Sequence, residues 1–273
     1  MIHGSTRETL APNDRAALYG DALFETLWWT GGHLALVHLH EQRLLCGADR
    51  LQIPVNESAL RDFLAQIQFR LASTSLGTAC VARLSLHRSV MSRGYAFSRQ
   101  MEPLLVCAVS PAPESSAEGV ALGVSRVRLA QQPLLAGLKH ANRLEQVLAA
   151  QELADRGYDD GLMCLDDGRV VCTTRANIYA LVSGVWHTPA LDQAGITGTR
   201  RRWLFENAKA LGIVVQQGLV TLEQIQQADA VMISNAIRGF QPVVSIENRQ
   251  INTSGSIDAI QDAYVAALTE VGR

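Results

Sequence analysis

Short apolar runs joined by tight polar turns, with single helices between them, restrict the fold of this chain most. Residues 162–165 and 170–173 flank Asp166-Asp167-Gly168, and 177–182 and 185–188 flank Ser183-Gly184. Each pair reads as a β-hairpin. Hairpins pair their strands antiparallel, whereas a doubly wound sheet needs strands and helices in steady alternation. The chain lacks that alternation. The expectation is an α/β chain of the α+β kind, built as two lobes.

The order of elements agrees. Residues 1–10 read as a short strand, and 23–29 as a longer one after the Gly20-Asp21 turn. Gly31-Gly32 reads as a hairpin turn into a strand over 33–37. Leu44, Leu45, Ala48 and Leu51 share one face of a helix over 40–51, which Pro54 stops. A second amphipathic helix over 57–72 carries Leu60, Phe63, Leu64, Ile67 and Leu71, and strands are expected over 80–86 and 104–109. Residues 110–118, with two prolines, three serines and two glutamates, show no periodicity and read as a linker. That divides the chain into a small N-terminal domain over 1–109 and a larger C-terminal domain over 119–273. The second opens with a strand over 120–129 and a helix from 143 to about 156, followed by the two hairpins. A helix to about 211, a strand at 214–215, a short helix after Thr221, a strand over 230–234 and a helix over 256–271 complete it.

Composition excludes several classes. Hydrophobic residues make up 48% of the chain and charged residues 18%, enough for a sizeable core. The net charge of −2, with no basic cluster beside aromatics, argues against a nucleic-acid surface. No apolar run reaches membrane-spanning length, and the N-terminus has no charged-then-apolar leader pattern. The five cysteines have neither metal-site nor redox-motif spacing, so no metal is expected. They read as reduced core thiols of a soluble, cytoplasmic protein.

The chemistry points to Lys139. The chain has two lysines, Lys139 and Lys209, and every other cationic side chain counted among its 24 Lys plus Arg is arginine. Lys209 lies in the polar stretch Glu206-Asn207-Ala208-Lys209. Lys139 follows an apolar run and precedes a helix start where Asn142 and Glu145 have capping-box spacing. A lysine held by apolar residues at such a junction is easily desolvated, which favours its neutral form. A neutral amine can form a Schiff base, and an arginine cannot. Buried ion pairs also hold lysines, so rarity alone does not make Lys139 catalytic.

Two turns add an anion-binding signal. Gly195-Ile196-Thr197-Gly198 enters a helix and offers amides, a hydroxyl and the positive end of the helix dipole. The Arg200-Arg201-Arg202 run opposes that dipole unless an anion is nearby. Ser234-Asn235-Ala236 follows a strand and supplies further amides, and Arg43 is a third cationic candidate. Each is commonly structural when taken alone. In combination, an isolated lysine and two anion turns suggest a phosphorylated aldehyde cofactor.

The order of these motifs resembles the fold-type IV pyridoxal-phosphate enzymes, the family of branched-chain and D-amino-acid aminotransferases and of 4-amino-4-deoxychorismate lyase. Family-wide pieces are Tyr19-Gly20-Asp21, Phe24-Glu25-Thr26, His40-x-x-Arg43-Leu44, Lys139, Asn177-Ile178-Tyr179, Thr188-Pro189 and Gly195-Ile196-Thr197. Residues 135–146, Ser92-Arg93-Gly94-Tyr95 and Leu191-Asp192-Gln193-Ala194-Gly195 are similar to the lyase branch. The resemblance implies a two-lobed fold with the active site between lobes, pyridoxal 5'-phosphate as cofactor, a small-molecule substrate and a homodimer. It implies Lys139 as the Schiff-base lysine. It gives the phosphate to Arg43, to the Ile196 and Thr197 amides with the Thr197 hydroxyl, and to the turn of Asn235 and Ala236. Tyr19, Thr26 and Arg93 would lie near the substrate, with Arg93 suited to a carboxylate. The implied reaction turns 4-amino-4-deoxychorismate into 4-aminobenzoate and pyruvate, a step towards folate. The sequence departs from the family at Cys172, five residues before Asn177, where the family has an acid that keeps the cofactor ring protonated. A cysteine of ordinary pKa is no fixed anion. A D-amino-acid or branched-chain aminotransferase, or a cofactor-binding protein with altered or lost activity, stays open as an alternative.

Overall fold

Residues 22–25 are buried on both faces of a strand, and from 25 to 29 burial follows the two-residue period of a strand with one face fully covered. This strand belongs to the first of two units of the chain, which holds residues 1–114 and 138–142 in a computed structural model. The structure describes residues 2–3, 11, 13–30, 32–73, 79–88, 94–113 and 119–270. The first unit contains, in chain order, β1 (Ile2–His3), α1 (Arg15–Tyr19), β2 (Ala22–Trp29), α2 (Val37–Leu51), α3 (Glu57–Ala72), β3 (Cys80–His87) and β4 (Leu104–Pro111). Its strands form an antiparallel sheet in the order β1-β4-β3-β2. Leu23, Leu27 and Trp29 of β2 are buried, as are Leu39 and Leu44 of α2 and Leu60, Phe63 and Ile67 of α3. Each such side chain contributes roughly 1.5–3 kcal/mol by leaving water.

Two expectations for this unit change. No strand forms over 33–37. Leu34 makes a single bridge to Trp29, Leu36 turns into the left-handed region at φ 51°, and α2 starts at Val37. The short helix α1 was not read from sequence, because five residues carry too little periodicity. Its signal is the Asp14 side chain, which accepts hydrogen bonds from the Ala16 and Ala17 amides.

The buried charges of this unit are paired. Glu25 is 1% exposed and accepts from Arg43 Nε (2.8 Å), Arg43 Nη2 (2.5 Å) and His40 Nδ1 (2.6 Å). Asp21 accepts from Arg15 Nε and Arg88 Nε at 2.9 and 2.8 Å, while Arg15 Nη1 and Nη2 donate to the Gly94 and Tyr95 carbonyls.

The second unit holds residues 115–137 and 143–271. It contains β5 (Val120–Arg128), α4 (Leu144–Asp155), β6 (Asp160–Cys164), β7 (Val170–Thr173), β8 (Asn177–Val182), β9 (Val185–Pro189), α5 (Thr199–Asn207), β10 (Val214–Gly218), α6 (Leu222–Gln226), β11 (Ala230–Asn235), β12 (Gly239–Ile246), β13 (Arg249–Gln250) and α7 (Gly255–Glu270). Its mixed sheet runs β10-β9-β8-β11-β12-β5-β6-β7, with β13 beside β12. Both expected hairpins form, as β6–β7 and β8–β9. Leu122, Leu162, Ile178, Val231 and Val243 meet in its core. Strand β12 was not among the expected elements; it carries Pro242, a residue disfavoured inside strands.

The linear division differs from the observed units. Residues 138–142, expected in the C-terminal domain, join the first unit through main-chain bonds to β2. Strand β4 runs to Pro111, inside the expected linker, and residues 114–118 lie outside the described residues. The capping box at α4 does not form. Asn142 Nδ2 donates to the Gly20 carbonyl, Glu145 accepts from the Ala130 amide, and Arg143 is the N-cap. Thr221 and Gln224 do form such a box at α6. Among the described residues, no helix is long and apolar enough to cross a membrane.

Glu25 gives the first unit a pH dependence. Burial alone raises its pKa, but Arg43 and then His40 outweigh that and hold the carboxyl at about 2, against 4.5 ordinarily. The folded value is the lower one, so this stabilisation is complete above about pH 4.5 and is lost as pH falls towards 2. Glu25→Gln is expected to cost about 3 kcal/mol at neutral pH. Denaturant unfolding followed from pH 6 to pH 2 should show a shallower loss of stability in the variant than in the parent.

Candidate active site

The position of Lys139 is set by main-chain pairing to β2. The Phe24 amide donates to the Lys139 carbonyl and the Ala141 amide to the Ala22 carbonyl, both at 2.9 Å, and Leu23 and His140 form an antiparallel bridge. The added segment covers an edge strand that would otherwise present unpaired groups. Gly20 makes room for it: at φ 65°, a Cβ there would lie 2.4 Å from Asn142 Oδ1. Lys139 is half-buried, and its Nζ lies 4.3 Å from the centre of the Phe24 ring. The Arg83 guanidinium lies 3.8 Å from the centre of the same ring. The lysine amine and the arginine guanidinium therefore share one aromatic side chain.

The other expected residues of this unit fall as follows. Arg43 is half-buried and fixed by Glu25, unlike a solvated helix arginine. Thr26 lies on the same face of β2 as Phe24 and is in register with Arg83 of β3. The Tyr19 ring lies 5.3 Å from that of Tyr95. Arg93 lies outside the described residues. Sequence reasoning passed over Glu25, His40 and Arg83 as functional candidates. Glu25 and His40 stood in quoted motifs, and only spatial pairing gives them a task. Arg83 carried no local signal, because its place beside Phe24 depends on the β2–β3 register.

In the second unit the turn before α5 is built from both sides. The Gly137 amide donates to the Gly195 carbonyl and the Thr197 amide to the Gly137 carbonyl, each at 3.0 Å. Asn177 Nδ2 donates to the Ile196 carbonyl at 2.9 Å, and a Cβ on Gly198 would lie 2.0 Å from Asn177 Oδ1. The Thr197 amide is therefore committed to Gly137. The pairing does not use the Ile196 amide. Gly198 caps α5 with no side-chain bond, and the helix start carries the positive end of its dipole.

The three arginines of α5 part ways. Arg202 pairs with Glu206, Arg201 Nη2 donates to the Pro189 carbonyl and to Gln217, and Arg200 turns inward. Asn235 Oδ1 accepts from the Ile237 and Arg238 amides, so this side chain shapes the turn that also holds Ala236.

Cys172, on β7, lies among Leu129, Ala149, Met163, Leu165 and Val171. Burial pushes its thiol up to about 12, Asp160 adds to the shift, and Arg143 opposes it. The thiol is neutral at physiological pH. Asp160 itself accepts from Thr173 Oγ1, Thr174 Oγ1, and the Thr174 and Gly161 amides. That carboxylate is engaged by the 173–174 turn. Among the described residues, no group of three His, Cys, Asp or Glu side chains is placed to hold a metal ion.

Known proteins are similar to this chain in sequence and fold. The chain is 30% identical to an aminodeoxychorismate lyase of Vibrio harveyi over 249 residues, which is 90% of each protein. The crystal structure of 4-amino-4-deoxychorismate lyase from Pseudomonas aeruginosa superposes with a TM-score of 0.89 and 35% identity, covering 95% of this chain and 96% of that one. A hypothetical aminotransferase from Mycobacterium tuberculosis, solved in its PLP-bound form, shares the fold at a TM-score of 0.82 and 23% identity, over 97% and 95% of the two chains. The family model for amino-transferase class IV matches residues 22–246, and the chain belongs to that family.

Proposed function

We propose that this chain is a pyridoxal-phosphate-dependent lyase that releases pyruvate from 4-amino-4-deoxychorismate and leaves 4-aminobenzoate, a step towards folate. The observation that carries this reading is the seating of Lys139, held by main-chain bonds to Ala22 and Phe24 with its amine over the Phe24 ring. The likeness to the Vibrio harveyi and Pseudomonas aeruginosa lyases supports that substrate.

The residues present fit the phosphate of such a cofactor. Within the second unit Thr197 supplies a hydroxyl, the start of α5 a positive dipole end, and Ile196, Asn235 and Ala236 the surrounding turns; the family resemblance adds Arg43 of the first unit, a guanidinium fixed by Glu25. On the ring side the fit is different, because the neutral Cys172 thiol cannot hold the ring nitrogen protonated. When bound, pyridoxal phosphate supplies an electron sink conjugated to the substrate amine. Lys139 Nζ, in its neutral form, accepts the proton that leaves C4 of the substrate. The bond from the ring to the enolpyruvyl oxygen breaks, and Lys139 returns a proton to the methylene carbon of the departing group. The atoms balance as 4-aminobenzoate and pyruvate with no water consumed. Arg83, which has no carboxylate within ion-pair distance among the described residues, is the cation placed for a substrate carboxylate beside Lys139. Tyr19, Thr26 and Arg93 complete the substrate residues of this reading.

The neutral thiol favours a lyase over an aminotransferase. Forming an aromatic ring drives the elimination, whereas transamination must hold a carbanion until it is reprotonated on the cofactor. One coupled assay tests both halves, with pyruvate release from 4-amino-4-deoxychorismate read beside amino transfer to 2-oxoglutarate. The parent should release pyruvate and transfer amino groups at least about tenfold more slowly. Cys172→Glu should raise amino transfer relative to pyruvate release, and Arg83→Leu should raise KM at least about tenfold, the weight of one charged hydrogen bond. Amino transfer without pyruvate release in the parent would overturn the lyase reading.

The reading includes a homodimer. Leu144, Val147 and Leu148 form one face of α4 and are 77%, 59% and 61% exposed, and Leu134 of the same unit is 77% exposed. An apolar face of this kind is suited to a second copy of the chain. Sedimentation velocity should give twice the chain mass for the parent and a smaller species for Leu148→Glu. A monomeric parent at micromolar concentration would contradict it.

A further inference from the structure

Arg200 is the most deeply buried arginine side chain of α5, at 1% exposure, and its three nitrogens have separate partners. Nη1 donates to Thr199 Oγ1 at 3.1 Å, Nη2 to the Ala236 carbonyl at 2.7 Å, and Nε to the Tyr264 hydroxyl at 2.8 Å. Thr199 opens α5, and Ala236 belongs to the turn after β11. One planar guanidinium therefore ties together the two turns whose composition suggests anion binding.

Its third partner is itself immobilised. Tyr264 is 3% exposed and meets Trp203 and Phe240 edge-on at 5.4 and 5.6 Å. A Cβ on Gly239 would lie 2.7 Å from the Tyr264 ring, so glycine there leaves space for it. Burial raises the pKa of the Tyr264 hydroxyl, with Arg200 opposing, so it remains a neutral acceptor. The rigid fork of arginine suits this task, since it holds its donors at fixed angles, and lysine does not.

We propose that Arg200, braced by Tyr264, is the positioning residue of the phosphate cradle. It sets the Ala236 turn against the start of α5 and places a permanent positive charge behind both. This rests on the proposed function, because it takes those turns to hold the cofactor phosphate. The role differs from that of a ligand: Arg200 acts on the anion through the two turns and through its charge. A residue that serves only the core would matter equally to ligands with and without a phosphate.

That difference is measurable without turnover. Apo-protein is titrated with pyridoxal phosphate and, separately, with pyridoxal, and binding is followed by absorbance and by quenching of tryptophan fluorescence. The parent should prefer pyridoxal phosphate strongly. Arg200→Gln should weaken pyridoxal phosphate by about ten- to a hundredfold and pyridoxal by less than about threefold, the loss expected for charge-assisted bonds. Arg200→Lys, which keeps the charge and loses the fork, and Tyr264→Phe, which keeps the ring and loses the acceptor, should fall between. Equal weakening of both ligands in all three variants, or no weakening in any, would overturn the proposal. A parent that binds pyridoxal phosphate no better than pyridoxal would overturn the phosphate-site reading and this proposal with it. A parent that keeps its preference beside an Arg200→Gln variant with the same preference would overturn the positioning role alone.

Discussion

The main-chain ladder between residues 22–24 and 139–141 is the constraint on which the rest of the site depends. It covers the free edge of β2, brings the Lys139 amine over Phe24, and draws Asn142 away from the helix it would otherwise cap. The left-handed Gly20 is what permits that approach, since any side chain there meets Asn142. The same pairing explains why five residues from the middle of the chain, 138–142, belong to the N-terminal unit.

Within each unit, charge is distributed by burial and pairing. Glu25 stays ionised while fully buried because Arg43 and His40 share it, and that in turn fixes Arg43. Arg200 is fixed by neutral partners, among them a carbonyl and two hydroxyls. Cys172 is the opposite case, a polar atom that burial keeps neutral. In the second unit Arg200 thus sets positive charge behind the Thr199 and Ala236 turns, while the buried Cys172 supplies no anion.

Features encoded by neighbouring residues were legible in the sequence. Both hairpins of the second unit follow from turn chemistry at 166–168 and 183–184, and the capping box at Thr221 follows from a three-residue spacing. Features encoded by distant pairing were not. Strand β12 carries Pro242, which masks it until its neighbours β11 and β5 are in place. The capping box at Asn142 and Glu145 had the right spacing, but each side chain found a stronger claim elsewhere. Residues 33–37 had strand composition, yet the left-handed Leu36 hands the chain to α2. In the candidate site, Lys139 stood out by composition and Cys172 by its departure from a pattern. Arg83, the Glu25–His40 pair and the commitment of the Thr197 amide required the register of strands and loops.

The central claim is that Lys139 is the amine that bonds to the cofactor. Its most direct test is borohydride reduction of the protein after incubation with pyridoxal phosphate, followed by mass mapping of fragments cut at arginine. The chain has a second lysine, Lys209, on α5's C-terminal side, which serves as an internal control. The account predicts one reduced cofactor per chain, on the fragment that carries Lys139. Label on Lys209 or the terminal amine in its place, or no label at saturating cofactor, would contradict it.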